Sequence, residues 1–392
     1  MAIGNVKEFA HLTDEQVEDL GRRFDAIRSS IEADLGSRDA RYIRNLIRVQ
    51  RRLVVAARVT LFASAFPPAW VAGTGLLAVA KILENMEIGH NVMHGQWDWM
   101  NDPEIHSGTW EWDTTCPAEG WKHSHNYVHH TFTNVLGKDN DVGYGILRVR
   151  PEQPWHPFNL GQPVYNALLA LLFEWGVALH DLDIEAIRKR RKDPAETRRQ
   201  LKVIWRKVRR QVGKDYLVFP LLSGPAFAST VTANATANLI RNLWSYMIIF
   251  CGHFPDGAEV FLEEELEGEQ RPQWYLRQLL GAANFEGGRL LHVMSGSLGY
   301  QIEHHLFPDL PSNRYPEIAA QVRELCRTYR LPYTIGPLHR QYGQTLRTLL
   351  KLSLPGSSSQ RRRRGEGRRA PRATIEELRR YDGPMAPQAA VS

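Results

Sequence analysis

The sequence predicts an all-α integral membrane protein: four transmembrane helices in two hairpins, with a cytoplasmic helical cap holding a histidine-rich site. Three observations predict it. Two long apolar blocks occupy residues 53–83 and 216–254, three histidine clusters follow them or lie beyond them, and basic runs flank them. At 392 residues the chain can hold one large domain or two ordinary ones. Its mean hydropathy of −0.38 averages over this segregation, so position carries more information than the mean.

Taken in order, residues 1–52 form a cytoplasmic amphipathic region, with a helical pattern over 13–52 that opens at the cap Thr13 with Glu15 and Gln16 behind it. No basic start followed by an apolar core marks a signal peptide, which keeps the N-terminus in the cytoplasm. Residues 53–355 then form the membrane domain. LVVAARVTLFASAFPPAWVAGTGLLAVAKIL (53–83) is nearly free of charge after Arg58 and is interrupted by Pro67-Pro68. A bilayer core needs about 20 apolar residues per helix, so spans at 53–71 and 72–89 fit; the alternative is a buried helical hairpin. YNALLALLFEWGVAL (165–179) precedes a basic run at 186–214. Spanning there would put those cations opposite the basic N-terminus, which the positive-inside rule disfavours, so it reads as an interfacial or protein-packed helix.

The second block supplies spans at 216–233 and 236–254, with the small residues Ser229–Asn238 as the turn. Arg241 and Asn242 must then lie near a helix end or face protein. Residues 1–52, 90–215 and 254–392 share one face. The segment from Gly356 to 392 is basic and rich in Ser, Gly and Pro, a disordered tail rather than a specific nucleic-acid binder. The net charge of +6 fits an anionic partner such as a membrane surface or a phosphorylated ligand. Cys116, Cys251 and Cys326 are too scattered for a disulfide framework or a zinc knuckle.

The histidines carry the chemistry. His90 and His94 in HNVMH are spaced i,i+4, as are His125 and His129 in HNYVHH, and residues so spaced share one helix face. His130 lies about 100° around a helix from His129. Adjacent histidines of this kind suit two neighbouring ions better than one. In QIEHH, Gln301 stands one turn before His304 and His305 and can face the same centre with its amide oxygen, a candidate metal ligand beside them. His253 closes the second apolar block. This set exceeds the four ligands of one tetrahedral zinc. Imidazoles suit iron, copper, zinc or nickel alike. HExxH is absent, and only Glu87–His90 fits the ExxH pattern of soluble carboxylate di-iron bundles. What remains is a histidine-rich dimetal centre at a membrane surface.

These three boxes, in this order, resemble those of the integral-membrane fatty-acid desaturases. The flanks HTFTNVLGKDNDVGYG and HLFPDLPSNRYPEIA resemble the bacterial acyl-CoA branch with a QxxHH third box, and the likeness covers about residues 50–345. The resemblance implies two iron ions, O2 as co-substrate, and His90, His94, His125, His129, His130, His253, His304 and His305 as ligands. Gln301 stands where animal enzymes open the third box with histidine, and Ile249 where they carry an asparagine. The implied product is a cis double bond in a fatty acyl chain, acyl-CoA or acyl-lipid, with Δ9 drawn from the branch. A di-iron hydroxylase and a non-catalytic metal-binding membrane protein are the alternatives. With no cytochrome domain in the chain, electrons come from a separate ferredoxin, cytochrome or NAD(P)H-dependent reductase. The enzyme would sit, multi-pass and in contact with membrane lipid, in a bacterial cell membrane with its site cytoplasmic.

Carboxylates behind the ligands should orient the rings; Glu87, Asp98, Asp139 and Glu303 are candidates, and His123 and His292 can join them. Trp97, Trp99, Trp110, Trp112 and Trp121 are candidates to line an acyl tunnel, and the basic stretches 41–52 and 186–214 to hold CoA phosphates.

Overall fold

A computed structural model describes residue 6 and residues 8–355 apart from 181 and 189, so the expected tail from 356 lies outside the described residues. Ten α-helices of eight or more residues build it: α1 (Asp14–Ala33), α2 (Ser37–Leu61), α3 (Pro67–Leu83), α4 (Gln162–Leu171), α5 (Phe173–His180), α6 (Pro194–Val212), α7 (Phe227–His253), α8 (Arg271–Gly281), α9 (Tyr315–Thr328) and α10 (Leu338–Ser353). One parallel pair, β1 (Asn284–Glu286) with β2 (Ile335–Pro337), sets Phe285 opposite Gly336.

The all-helical expectation agrees with this architecture; the four transmembrane helices do not. None of the described helices is long and apolar enough to cross a membrane. The breaks fall elsewhere than the hydropathy pattern suggests. α2 begins at Ser37 and carries several arginines before it reaches the apolar block, so no helix starts at 53. α3 starts at Pro67 and is 17 residues long before it passes into a π-helical turn, Glu84–His90. Pro at the first helical turn is favourable because its missing N–H has no intrahelical partner there. The expected turn at Ser229–Asn238 is helix interior, within the 27 residues of α7. The chain reverses instead at Gly224, whose φ of +54° suits glycine.

Charge explains the rest. Asp215 accepts hydrogen bonds from Arg58 (2.8 Å) and Lys81 (2.7 Å), and all three side chains are buried. Asn234 on α7 accepts a second bond from Arg58 at 2.8 Å. Arg241, also buried on α7, pairs with Glu174 on α5. A hydropathy window registers these ions without registering their partners. The 165–179 segment is split at Leu172 into α4 and α5, with Leu169, Ala170, Phe173 and Ala178 buried and Leu168, Leu171, Leu172 and Leu179 exposed.

α2, α3 and α7 pack through small residues, with Ala57, Ala78, Ala233 and Ala237 sharing a core with Leu61 and Leu77. A Cβ on Gly73 would lie 2.7 Å from Leu61, so glycine sets the α2–α3 approach. The expected helix over 13–52 breaks at 34–36. Buried Arg314 spans that break, bonding Asp34 (2.7 Å) and Asp39 (2.8 Å). α1 turns Val17, Leu20, Phe24 and Ile27 onto a second core shared with α8 and α9. The histidines lie between these two bodies.

Removing the shared anion should strand two buried cations. Asp215→Ala is expected to lose about 3–5 kcal/mol of stability. Thermal unfolding of the purified protein checks this, and an unchanged midpoint would contradict the pairing.

Candidate metal centre

Both of the first two histidine boxes lie in or beside π-helical backbone. Glu84–His90 is one such turn, and Lys122–His129 is the other, continuing from the helical turn Ala118–Trp121. Widened turns of this kind recur at functional sites because they re-aim side chains. The third box sits on a short helical turn, Gln301–Leu306, whose six residues are all buried.

The boxes converge. Ligand nitrogens of His90, His94, His125 and His304 lie within 4.8 Å of one another, and those of His129, His130 and His305 do the same. His304 and His305 thus fall into different lobes, as their divergence predicts. His129 and His130 do not: both belong to the second lobe. His130 also faces the first, with its ring 4.7 Å from His94 and 4.9 Å from His304. His253, at the end of α7, reaches the second lobe, 4.8 Å from His129 and 4.9 Å from His305.

Five of the rings, His90, His125, His129, His304 and His305, are oriented from behind. Asn91 faces His90 Nδ1 at 2.9 Å, Asp141 faces His125 Nδ1 at 3.3 Å and Asp139 faces His129 Nδ1 at 3.0 Å. Tyr315 Oη lies 3.1 Å from His304 Nδ1, and Gln278 Oε1 3.1 Å from His305 Nδ1. With Nδ1–H donating outward, Nε2 keeps its lone pair toward the interior. The Nε2 atoms of His94, His125, His129, His130, His304 and His305 are buried and without a partner. Buried polar atoms are ordinarily satisfied, so a converging set of bare imidazole nitrogens fits a pair of bound metal ions. Gln301 donates its amide N–H to His253 Nε2 (3.0 Å), while its Oε1 and His253 Nδ1 have no partner. Gly252 makes this possible, since a Cβ there would stand 2.8 Å from the Gln301 carboxamide carbon.

Burial keeps most of these rings neutral. It lowers the His90 pKa to about 3 and holds His94, His130, His253, His304 and His305 well below the usual histidine range. His129 is the exception: burial opposes its charge, but Asp139 and Asp141 outweigh it and hold the ring up to about 9.

Of the supporting residues expected from sequence, Asp139 touches a histidine of the cluster directly. Glu87 instead bonds Tyr42 (2.7 Å), Ser297 (3.1 Å) and Ser312 (2.6 Å), and its carbonyl receives the Asn91 amide. Glu303 bonds Asn284 and Tyr333, and Asp98 the Ser107 amide. Burial pushes both Glu87 and Glu303 up to about 7. His123 is exposed and stacks on Tyr127, and His292 stacks on Tyr300 at 4.5 Å; neither joins the cluster. Sequence reasoning missed Asp141 and His180, which meet at 2.7 Å. The i,i+2 aspartates of KDND could have flagged Asp141; His180 stands alone in an apolar helix.

A narrow cavity of about 60 Å³ opens against His90, His125 and His253, walled by Trp112, Trp121, Phe173, Ile249 and Leu298. Two of the five expected tryptophans therefore line it. Trp97, fully buried, packs with Ile43 and Ile47 instead.

Residues 38–337 match the fatty acid desaturase family, to which the chain belongs. Membership makes it an oxidoreductase of fatty acyl chains. The chain is 56% identical over 359 residues to an NADPH-dependent stearoyl-CoA 9-desaturase of Mycobacterium tuberculosis, covering 91% of this chain and 84% of the relative. It is 25% identical over 334 residues to an sn-1 linoleoyl-lipid 6-desaturase of Synechocystis sp., covering 81% and 89%. An acyl-lipid (8-3)-desaturase of Mortierella alpina is 26% identical over 230 residues, or 55% of this chain and 49% of that one.

To hold a metal ion, the charged His129 would have to lose its proton. Affinity of the metal-free protein for a divalent metal such as Co(II) should therefore fall about tenfold per pH unit as pH drops from 9 toward 7. Calorimetric titration across that range checks the slope, and Asp139→Asn should flatten it.

Proposed function

We propose that the protein is a di-iron acyl-CoA 9-desaturase. The observation that carries the reading is the two-lobed cluster of bare imidazole nitrogens at the wall of a mainly apolar cavity. Its likeness to a stearoyl-CoA 9-desaturase over 91% of the chain supports the acyl-CoA substrate and the Δ9 position, and favours desaturation over hydroxylation. The net reaction is R–CH2–CH2–R′ + O2 + 2 e− + 2 H+ → R–CH=CH–R′ + 2 H2O. Two electrons leave the acyl chain with its hydrogens, and two come from a separate donor protein.

In this reading His90, His94, His125 and His304 hold one iron, and His129, His130, His305 and His253 the other. The iron pair supplies the O2 chemistry that an unactivated methylene requires. Asp139 and Asp141 keep the second-box rings turned inward, and Tyr315 and Gln278 do so for the third. Gln301 holds His253 through its amide nitrogen and leaves its oxygen facing the same space. Trp112, Trp121 and Leu298 narrow the cavity so that one C–C bond lies beside the histidines, an arrangement that lowers the entropic part of the barrier.

Association with lipid of a bacterial cell membrane is supported by large apolar side chains exposed around one end of the bundle. Val55, Phe66, Val71 and Leu221 are each more than 60% exposed, and contiguous patches of this kind mark interaction surfaces.

Expression in a desaturase-deficient host, followed by mass spectrometry of the lipids, should locate a new cis double bond at C9 of an eighteen-carbon chain. A hydroxylated chain without a new double bond would reject the proposal. His305→Ala and His129→Ala should each lower bound iron and abolish turnover; full activity in either would remove that ring from the ligand set.

A further inference from the structure

The outer face of α6 is unlike the rest of the surface. Its buried side is Ile204, Lys207 and Gln211. At 100° per residue, Arg198, Lys202, Trp205 and Arg209 fall within about 60° of one another on the opposite side, and all four are exposed. Leu201 joins them one turn before Trp205; the indole is 61% exposed and the leucine 46%. Arg199, Arg206 and Arg210 flank this stripe and are exposed too. Glu196, the single acid within the helix, is already bonded to Arg199 at 2.9 Å. A large aromatic ringed by cations on an exposed helix is the composition of a binding hot spot for an acidic surface, with steering by long-range charge.

What lies beneath that face is the second observation. Lys207 reaches inward to Glu111 (2.9 Å) and the Trp112 carbonyl (2.7 Å). The Trp112 ring is 5.4 Å from Trp121, which stacks on His125 at 4.5 Å and lies 5.5 Å from His90. Arg199 also feels the Glu119 carboxylate, two residues before Trp121. From Trp112, whose carbonyl Lys207 of α6 touches, two packed indole rings lead to His125 and His90 of the first histidine lobe.

We propose that the exposed face of α6, centred on Trp205, is the docking site of an acidic electron-transfer protein, whose electrons reach the histidine cluster by way of Trp112 and Trp121. The partner delivers the two electrons that the reaction above draws from outside the acyl chain; where it is a one-electron carrier, two molecules of it are oxidised in succession per turnover. The proposal rests on the desaturase reading, and its test separates the two.

The test uses the full chain, purified in detergent and loaded with iron, with stearoyl-CoA as substrate. An acidic [2Fe–2S] ferredoxin with its NADPH-dependent reductase serves as donor in one arm, and dithionite as chemical reductant in the other. In the triple variant Arg198→Glu, Lys202→Glu, Arg209→Glu, and separately in Trp205→Ala, the KM for ferredoxin should rise about tenfold or more. The triple variant should also lose most of the salt dependence of the ferredoxin-driven rate. Dithionite-driven single turnover and the KM for stearoyl-CoA should match the wild type. An unchanged KM for ferredoxin overturns the proposal. A raised KM for stearoyl-CoA instead assigns the face to CoA phosphates and overturns it. So does loss of binding to phosphatidylglycerol vesicles with the ferredoxin KM unchanged, which makes it a lipid face. Wild-type enzyme that desaturates stearoyl-CoA in neither arm refutes the desaturase reading itself, and this proposal with it.

Discussion

The structure depends on keeping a group of imidazoles dry, all of them neutral except His129, with their inner nitrogens turned to one space. Each ring has two nitrogens, and burial alone would leave both free to find partners. The outward bonds from Nδ1 to Asn91, Asp139, Asp141, Tyr315 and Gln278 settle which nitrogen faces inward. Those partners come from four separate stretches of chain, so the centre can assemble only when the bundle and the cap close on it. Much of the rest follows from that need. Buried Arg314 ties α1 to α2, and the β1–β2 pair fastens the segment after α8 to the start of α10.

The second organising feature is charge placed deep within otherwise apolar helices. Arg58, Lys81, Asp215, Arg241 and Glu174 each have a partner, and together they lock α2, α3, α5 and α7 in relative position. Pairs like these are costly to desolvate and add little net stability over apolar packing, but they fix register strongly because a mispaired ion is so unfavourable. A bundle whose interior must present histidines from several helices to one space depends on register.

How much was legible in the sequence follows from the range of the interactions. The three boxes were readable because ligands on one turn keep short, regular spacings, and the separation of His304 from His305 followed from helix geometry. The placement of His253 was readable only with the other clusters in view. The spans were misjudged because hydropathy weighs a lysine or arginine without knowing that Asp215 awaits it. Gln278, Tyr315 and His180 were missed because their partners are distant in sequence. Asp98 and Glu303 were proposed on proximity in sequence to the boxes, and their bonds go elsewhere. His129 and His130 diverge as on an α-helix, yet both reach the second lobe, and His130 faces the first as well because the two lobes adjoin.

The spacing within the first two boxes sets a limit on how the chain can vary in length. In or beside each of them one turn holds an extra residue. A widened turn takes up its extra residue over nearly one ordinary turn, so the helix beyond it keeps its phase. A residue deleted between His90 and His94, or between His125 and His129, would instead turn the second ring of the pair by about 100° relative to the first. His94 or His129 would then face away from its lobe without any histidine having been substituted. The two boxes thus behave as counted spacers, tolerant of changes in side chain on their outer faces and intolerant of any change in number.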